Sequence, residues 1–204
     1  MKKKQTANIA VLVSGGGTNL QALINAQNKG ILTSGRIVLV ISNNANAFAL
    51  TRAQRAGIDT AVITRKEAGS QEAMEQKICE TLDAYKIDLI ILAGFMSILS
   101  ADFTGRYDHR IINVHPSLIP SFCGEGFYGL RVHEAALAKG VKVTGATVHF
   151  VNEIPDGGEI ILQKAVNIKE DDTPETLQKR VMRLAEWKLL PAAAEKVSRQ
   201  LLEQ

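Results

Sequence analysis

Residues 111–116 read I-I-N-V-H-P, the segment of this chain best suited to chemistry. Strand side chains alternate faces, so Asn113 and His115 point one way while Ile112 and Val114 point into the core. Proline cannot continue a central ladder, which places the pair at the strand's carboxyl end. Open α/β sheets bind ligands at that edge. An amide and an imidazole aimed together into a crevice suit the polarisation of a carbonyl and the movement of a proton. The plainer alternative is a strand-end histidine held by the following turn. A second segment, V-N-E-I-P-D-G-G at 151–158, sets Asp156 between a proline and two glycines, in a loop that needs unusual backbone angles. Opposite His115, that carboxylate would raise the imidazole pKa and keep a charged donor available. Without that neighbour it is a turn aspartate.

The first apolar run ends in Ser14-Gly15-Gly16-Gly17-Thr18-Asn19-Leu20, where a helix begins. Glycines admit a ligand close to the backbone, and a helix N-terminus offers unpaired N–H groups and partial positive charge to an anion. The dinucleotide pattern G-x-G-x-x-G fails because position 20 is Leu20, and the Walker G-K-[ST] is absent. A small phosphate monoester fits this loop better than NAD or ATP. A ligand-free strand–helix turn is the alternative.

These groups need a scaffold. Strands are expected at 8–13, 37–41, 60–63, 88–93 and 111–114, with helices at 18–29, 47–56, 70–85 and 100–107 between them. This alternation predicts an α/β fold: a mostly parallel, Rossmann-like sheet with helices on both faces. The second half differs. A long Gly- and aromatic-rich loop covers 116–130, a length usually tied to function or mobility. A helix at 131–139 follows. Strand 143–151 alternates, with Thr147 and His149 on its more polar face as candidate site-lining residues, and strand 159–166 is expected to pair with it antiparallel. Thr173 caps a last helix starting at Pro174, expected to be interrupted at Pro191 and then to resume.

Composition narrows the class. The chain has 204 residues, 46% hydrophobic and 22% charged, as expected of one globular domain over 1–204. A formal charge of +3 gives no case for nucleic acid, and Lys2-Lys3-Lys4 reads as a solvated tail. The apolar run after it is too short for a signal peptide, and no stretch is long enough to span a bilayer. Cys79 and Cys123 lie in no metal-type cluster and read as reduced thiols of a cytoplasmic protein.

Five segments occur in order: S-G-G-G-T-N-L-Q from Ser14, L-A-G-F-M at 92–96, I-N-V-H-P-S-L-I-P at 112–120, G-A-T-V-H-F-V at 145–151 and D-G-G at 156–158. Together they resemble the folate-dependent phosphoribosylglycinamide formyltransferases, over nearly the whole chain. The resemblance implies the formyltetrahydrofolate-transferase fold, with nucleotide held by the N-terminal half and folate by the C-terminal half. It implies direct transfer of the formyl group of 10-formyltetrahydrofolate to the amine of glycinamide ribonucleotide, in purine biosynthesis, with no metal and no acyl-enzyme. Partners would be small-molecule substrates, with no nucleic acid or membrane, and the expected state is a monomer or weak homodimer. The family's catalytic residues fall on Asn113, His115 and Asp156, and its phosphate loop on Gly17, Thr18 and Asn19. Its ribose-binding glutamate falls on Glu186, and Arg183, one turn earlier, also faces the nucleotide. Its folate pocket falls on Met96, Ser97, Ile98 and Leu99, on Asn152, Glu153, Ile154, Pro155 and Asp156, and beside Gln71.

Two departures stand out. Ser97 and Gln71 replace arginines of many relatives, which puts a charge contact to the folate's glutamate tail in doubt, and the loop at 121–130 is longer. The nearest rivals are a formyltetrahydrofolate deformylase, expected to carry an added N-terminal domain, and a methionyl-tRNA formyltransferase, expected to carry a further C-terminal one. A non-catalytic phosphate-binding module would not need Asn113, His115 and Asp156.

Overall fold

A computed structural model of the chain describes residues 6–203, so the Lys2-Lys3-Lys4 run expected to be a tail lies outside the described residues. Five parallel strands form the first part of one sheet: β1 (Ala7–Val13), β2 (Gly35–Ser42), β3 (Asp59–Val62), β4 (Leu89–Leu92) and β5 (Ile111–His115). Then β6 (Val143–Phe150) pairs antiparallel to β5, and β7 (Ile160–Asn167) antiparallel to β6, in the spatial order β3-β2-β1-β4-β5-β6-β7. β4 is apolar and buried throughout because helices cover both faces of the sheet. One face carries α1 (Thr18–Asn28), α2 (Phe48–Arg55), α7 (Pro174–Val181) and α8 (Trp187–Glu203) on a core that includes Val11, Leu20 and Leu190. The other carries α4 (Gln71–Ala84) and α5 (Ala101–Arg106) on Leu12, Ile78 and Phe103. The remaining helices are a short α3 (Arg65–Ala68), which the sequence reading did not anticipate, and α6 (Leu130–Lys139).

This order explains where a ligand can sit. From β1 the chain winds outward to β2 and β3, then returns across β1 to β4. The crossovers therefore diverge above the β1 and β4 carboxyl ends and leave a crevice there. Ser14 Oγ, after β1, accepts the Met96 N–H at 2.8 Å, after β4, and ties its two banks together. The β5–β6 register sets Asn113 against His149 and His115 against Thr147, so four polar side chains share one face of two strands. The register of β6 with β7 shifts between Val148 and His149.

The expected strands and longer helices are all present, with ends within two residues of expectation apart from the last. The last helix corrects the sequence reading. Pro191 lies inside the continuous α8, and the irregular stretch is a π-helical turn at Met182–Glu186. A proline lacks the helical N–H and crowds the carbonyl four residues earlier. That residue is Trp187, the first of α8, directly after the widened turn. Such turns recur at functional sites, and this one ends on Glu186.

α8 is also pinned to the sheet by one carboxylate. Glu195 accepts hydrogen bonds from the backbone N–H and hydroxyl of both Thr33 and Ser34. Burial alone would raise its pKa, but these four donors outweigh it and hold the carboxyl at about 2. A carboxyl depressed in the folded state adds stability above its unfolded pKa and loses it as pH falls through the folded value. Glu195→Gln should lower thermal stability at pH 7 by about 1–2 kcal/mol, the size of losing hydrogen bonds to a charged acceptor. The difference from the parent should shrink as pH falls below the ordinary glutamate value of 4.5 toward about 2 in melts followed by circular dichroism.

Candidate active site

The glycine loop forms the first wall of the crevice. Gly17 caps α1 in the left-handed conformation (φ 71°, ψ 34°), and a Cβ there would meet Ala49 Cβ at 2.6 Å, so glycine is required twice over. α1 has no side-chain cap and no acidic residue in its first turn, which leaves its terminal N–H groups and dipole to an external anion. α2 braces the loop: the Ala49 N–H donates to Gly15 O at 3.0 Å and Arg52 Nε to Gly16 O at 2.8 Å. From the π turn, Glu186 reaches the same end of α1, where Asn19 Nδ2 donates to Glu186 Oε2 at 2.8 Å. Glu186 is buried, and burial pushes its carboxyl up to about 7 against the opposing pull of that hydrogen bond. Arg183 is exposed and makes no hydrogen bond or ion pair among the described residues. Glu186 thus meets the phosphate loop, and Arg183 lies outside the contact.

Asp156 forms the centre of the second cluster. It occupies the left-handed region (φ 55°), and a Cβ at Gly158 would collide with the Phe150 carbonyl, so D-G-G follows from a chain folded back on the end of β6. Asp156 Oδ2 lies 3.3 Å from His115 Nδ1 and accepts the Gly124 N–H at 2.9 Å, while Oδ1 lies 3.5 Å from His149 Nε2. Burial would raise the Asp156 pKa, but His149, His115 and the Gly124 N–H outweigh it and keep the carboxyl ionised. His149 Nδ1 donates to Phe150 O at 2.7 Å, and its Nε2 stands between Asp156 Oδ1 and Asn113 Nδ2, 3.2 Å from the latter. That contact places the Asn113 amide beside the ring.

His115 departs from expectation. Its Nε2 lies 2.8 Å from Phe122 O and its Nδ1 3.3 Å from Asp156 Oδ2, so both ring nitrogens face acceptors. Asp156 and the Phe122 carbonyl do pull its pKa up, as the sequence suggested. Burial is the larger effect, with His149 adding to it, and the net shift is downward. That shift favours the neutral ring, whose single proton can serve only one of the two acceptors. Thr147 also departs from a lining role. It is fully buried; its Oγ1 donates to Ser117 O at 2.7 Å and accepts from the Ile119 N–H at 3.1 Å and Gln163 Nε2 at 2.9 Å. Thr147 thereby anchors the loop that carries Phe122 and Gly124.

A cavity of about 140 Å³ opens against this cluster. Phe95, Ser97, Ile98 and Leu99 form one wall, residues 152–156 the other, and Asn113 and His149 line it between them. Of the residues expected around a folate, only Met96 and Gln71 do not line it. Met96 is exposed, and Gln71 stands behind the wall, donating to Ile98 O at 3.1 Å and Glu75 Oε1 at 2.7 Å. Ser97 accepts Asn43 Nδ2 at 2.9 Å. The sequence reading missed Phe95, Phe122, Gly124 and Gln163. Phe95 was visible as an aromatic within L-A-G-F-M, whereas Phe122 and Gly124 act through backbone atoms that carry no sequence signal. Among the described residues no group of His, Cys, Asp or Glu is arranged to hold a metal ion.

Residues 7–194 match the formyl transferase family. The chain is 43% identical to phosphoribosylglycinamide formyltransferase of Haemophilus influenzae, over 90% of this chain and 83% of that one. It is 41% identical to the Escherichia coli protein of the same name, over 85% and 79%. A glycinamide ribonucleotide transformylase structure from Symbiobacterium toebii superposes with a TM-score of 0.89 at 38% identity, over 98% of this chain and 94% of that one. The trifunctional purine biosynthetic protein adenosine-3 of Gallus gallus is 47% identical over 93% of this chain, which spans 18% of that longer protein. An anion-ready helix end, an Asn–His–Asp cluster and a cleft between them thus stand on a backbone shared with these enzymes: the chain belongs to the formyl transferase family, among the phosphoribosylglycinamide formyltransferases.

Proposed function

We propose that this chain transfers the formyl group of 10-formyltetrahydrofolate to the amine of N1-(5-phospho-D-ribosyl)glycinamide, a step of purine (IMP) biosynthesis. The observation that carries the reading is the Asn113–His149–Asp156–His115 cluster at the end of β5, with an anion-ready helix end on one side and the cleft on the other. Gly17, Thr18 and Asn19 hold the phosphate, and Glu186 the ribose hydroxyls, with Arg183 near the nucleotide. The cleft between 97–99 and 152–156 takes the pterin. The whole chain acts as one formyltransferase unit, a cytoplasmic monomer or weak homodimer that works on small molecules without a metal.

Each group has a chemical task. The amine attacks the formyl carbon, its new N–C bond forms, and the bond to the folate nitrogen breaks. Asn113, oriented by His149, donates to the oxygen that becomes anionic. A positioned donor of this kind is typically worth about 3–4 kcal/mol of barrier. The attacking amine must lose a proton and the leaving nitrogen must gain one. A neutral His115 with its one proton on Nδ1, towards Asp156, accepts the first at Nε2, and as an imidazolium paired with Asp156 it supplies the second. Its Nε2 serves this centre once the Phe122 carbonyl gives way. Ser97 and Gln71 carry no charge, so the folate's glutamate tail is held without the ion pairs arginines would supply.

Mixing purified protein with glycinamide ribonucleotide and 10-formyltetrahydrofolate should release tetrahydrofolate, followed by absorbance, with no added metal or ATP. Release without the amine would mark a deformylase instead. Within the cluster, His115→Ala and Asp156→Asn should each lower kcat by roughly a hundredfold to ten-thousandfold, the range for a positioned acid–base group. The double variant should be little worse than the poorer single one, because residues acting as a unit are non-additive. Asp156 raises the His115 pKa, so Asp156→Asn should lower it further in an NMR titration. Additive losses with an unmoved pKa would show that the two act independently.

A further inference from the structure

A second hollow stands apart from the cleft described above. A cavity of about 460 Å³ lies between α1 and α8, within the size range of small-molecule sites. Thr18, Gln21, Ala22 and Asn25 line it at helical spacing along one face of α1, so it runs away from the reaction centre towards the far end of that helix. Ala26 and Pro191 add apolar floor. Two exposed apolar side chains stand at its rim, Trp187 at 38% and Ile31 at 55% exposure.

Its charge is one-sided. Lys29, Arg52 and Lys188 line the cavity, no carboxylate does, and none of the three forms an ion pair with a carboxylate among the described residues. The exposed part of the Trp187 indole can stack on a flat ring, and the Asn25 amide, which also lines the cavity, can both donate to and accept from a ring edge. Three cations with no carboxylate partner favour a phosphate. We propose that this cavity is a second ligand site that takes a purine nucleoside monophosphate, its base on Trp187 and its phosphate among Lys29, Arg52 and Lys188. The choice of a purine over a pyrimidine rests on the larger ring surface that would cover Trp187.

The site is linked to the first through Arg52 and Thr18. Arg52 Nε holds Gly16 O at 2.8 Å and its Nη1 donates to Gln21 Oε1 at 3.0 Å, so the guanidinium that would meet this phosphate also braces the substrate-phosphate loop. Thr18 belongs to both that loop and the cavity. A ligand that draws Arg52 away from Gly16 binds one arrangement of the loop better than the other, and so raises the KM for the phosphorylated substrate. Only this coupling rests on the formyl-transfer reading, since occupancy itself needs no catalysis.

Trp187 is the chain's one tryptophan, so intrinsic fluorescence reports on the cavity directly. Titration with AMP or GMP should quench it saturably with a Kd below about 1 mM, while UMP should bind at least about fivefold more weakly and inorganic phosphate should give no saturable change. The double variant Lys29→Glu, Lys188→Glu should weaken the quench by about tenfold or more, equivalent to 1.4 kcal/mol, with an unaltered circular dichroism spectrum. Its KM for glycinamide ribonucleotide without added nucleotide should match the parent's. Absence of a saturable quench, an equal response to UMP or to inorganic phosphate, or an unchanged quench in the double variant would each overturn the assignment. Absence of formyl transfer in the presence of a normal quench would instead count against the catalytic reading alone.

Discussion

One buried anion organises the end of this sheet. Asp156 lies within reach of both imidazoles and accepts a backbone N–H, and those contacts draw together β5, β6 and the loops that follow each of them. A carboxylate removed from water is tolerated only when its oxygens are satisfied, and here each oxygen faces a nitrogen. The requirement runs outward from there. D-G-G must bend sharply to present Asp156, Gly158 must lack a side chain to pass the Phe150 carbonyl, and β6 must pair with β5 in a register that sets His149 beside Asn113. A slip of β6 by one residue would turn Thr147 and His149 away from Asn113 and His115 to the other face.

The loop at 116–129 is part of the same construction. It contributes two backbone groups to the cluster, the Phe122 carbonyl on His115 and the Gly124 N–H on Asp156. Thr147 and Gln163 fix its base from the two antiparallel strands. Ser117 Oγ donates to Ser121 O at 2.6 Å and carries that order to the residue before Phe122. A chain of hydrogen bonds therefore runs from the edge strand β7 to the imidazole. Such chains transmit position well because each member has few alternative partners once water is excluded.

Much of this was legible in the sequence, and what was not has a common cause. The period-two pattern placed Asn113 with His115 and Thr147 with His149, because strand alternation depends only on local geometry. The loop at 14–20 suggested an anion site through its glycines and the helix start that follows, and the close approach of Ala49 to Gly17 is a packing demand the sequence did not show. What the sequence could not show were balances and distances. Whether Asp156 or burial decides the charge of His115 depends on how much water the folded chain excludes. The irregular turn near Pro191 falls at Met182–Glu186, and the proline itself sits within a continuous helix. Thr147 looked like a lining residue because alternation gives its face, while the loop folded over that face decides what it touches.

Glu186 shows what the fold gives up for its site. A carboxyl with a pKa near 7 when folded, against 4.5 as its ordinary value, binds its proton more tightly in the folded chain. Stability therefore falls as pH rises from 4.5 towards 7 and gains nothing back above it. An apolar residue at this position would avoid that loss, since Glu186 sits beside the buried Ala185 and its side chain's only hydrogen bond among the described residues is to Asn19. The π turn adds a further departure from regular geometry at the same point. Two unfavourable features converge on a side chain that meets the N-terminal end of α1, where the anion loop has no acidic residue of its own. Their persistence at that position is what a requirement for a hydrogen-bonding carboxyl next to a bound phosphate ester would produce, and neither packing nor helix geometry supplies another reason for it.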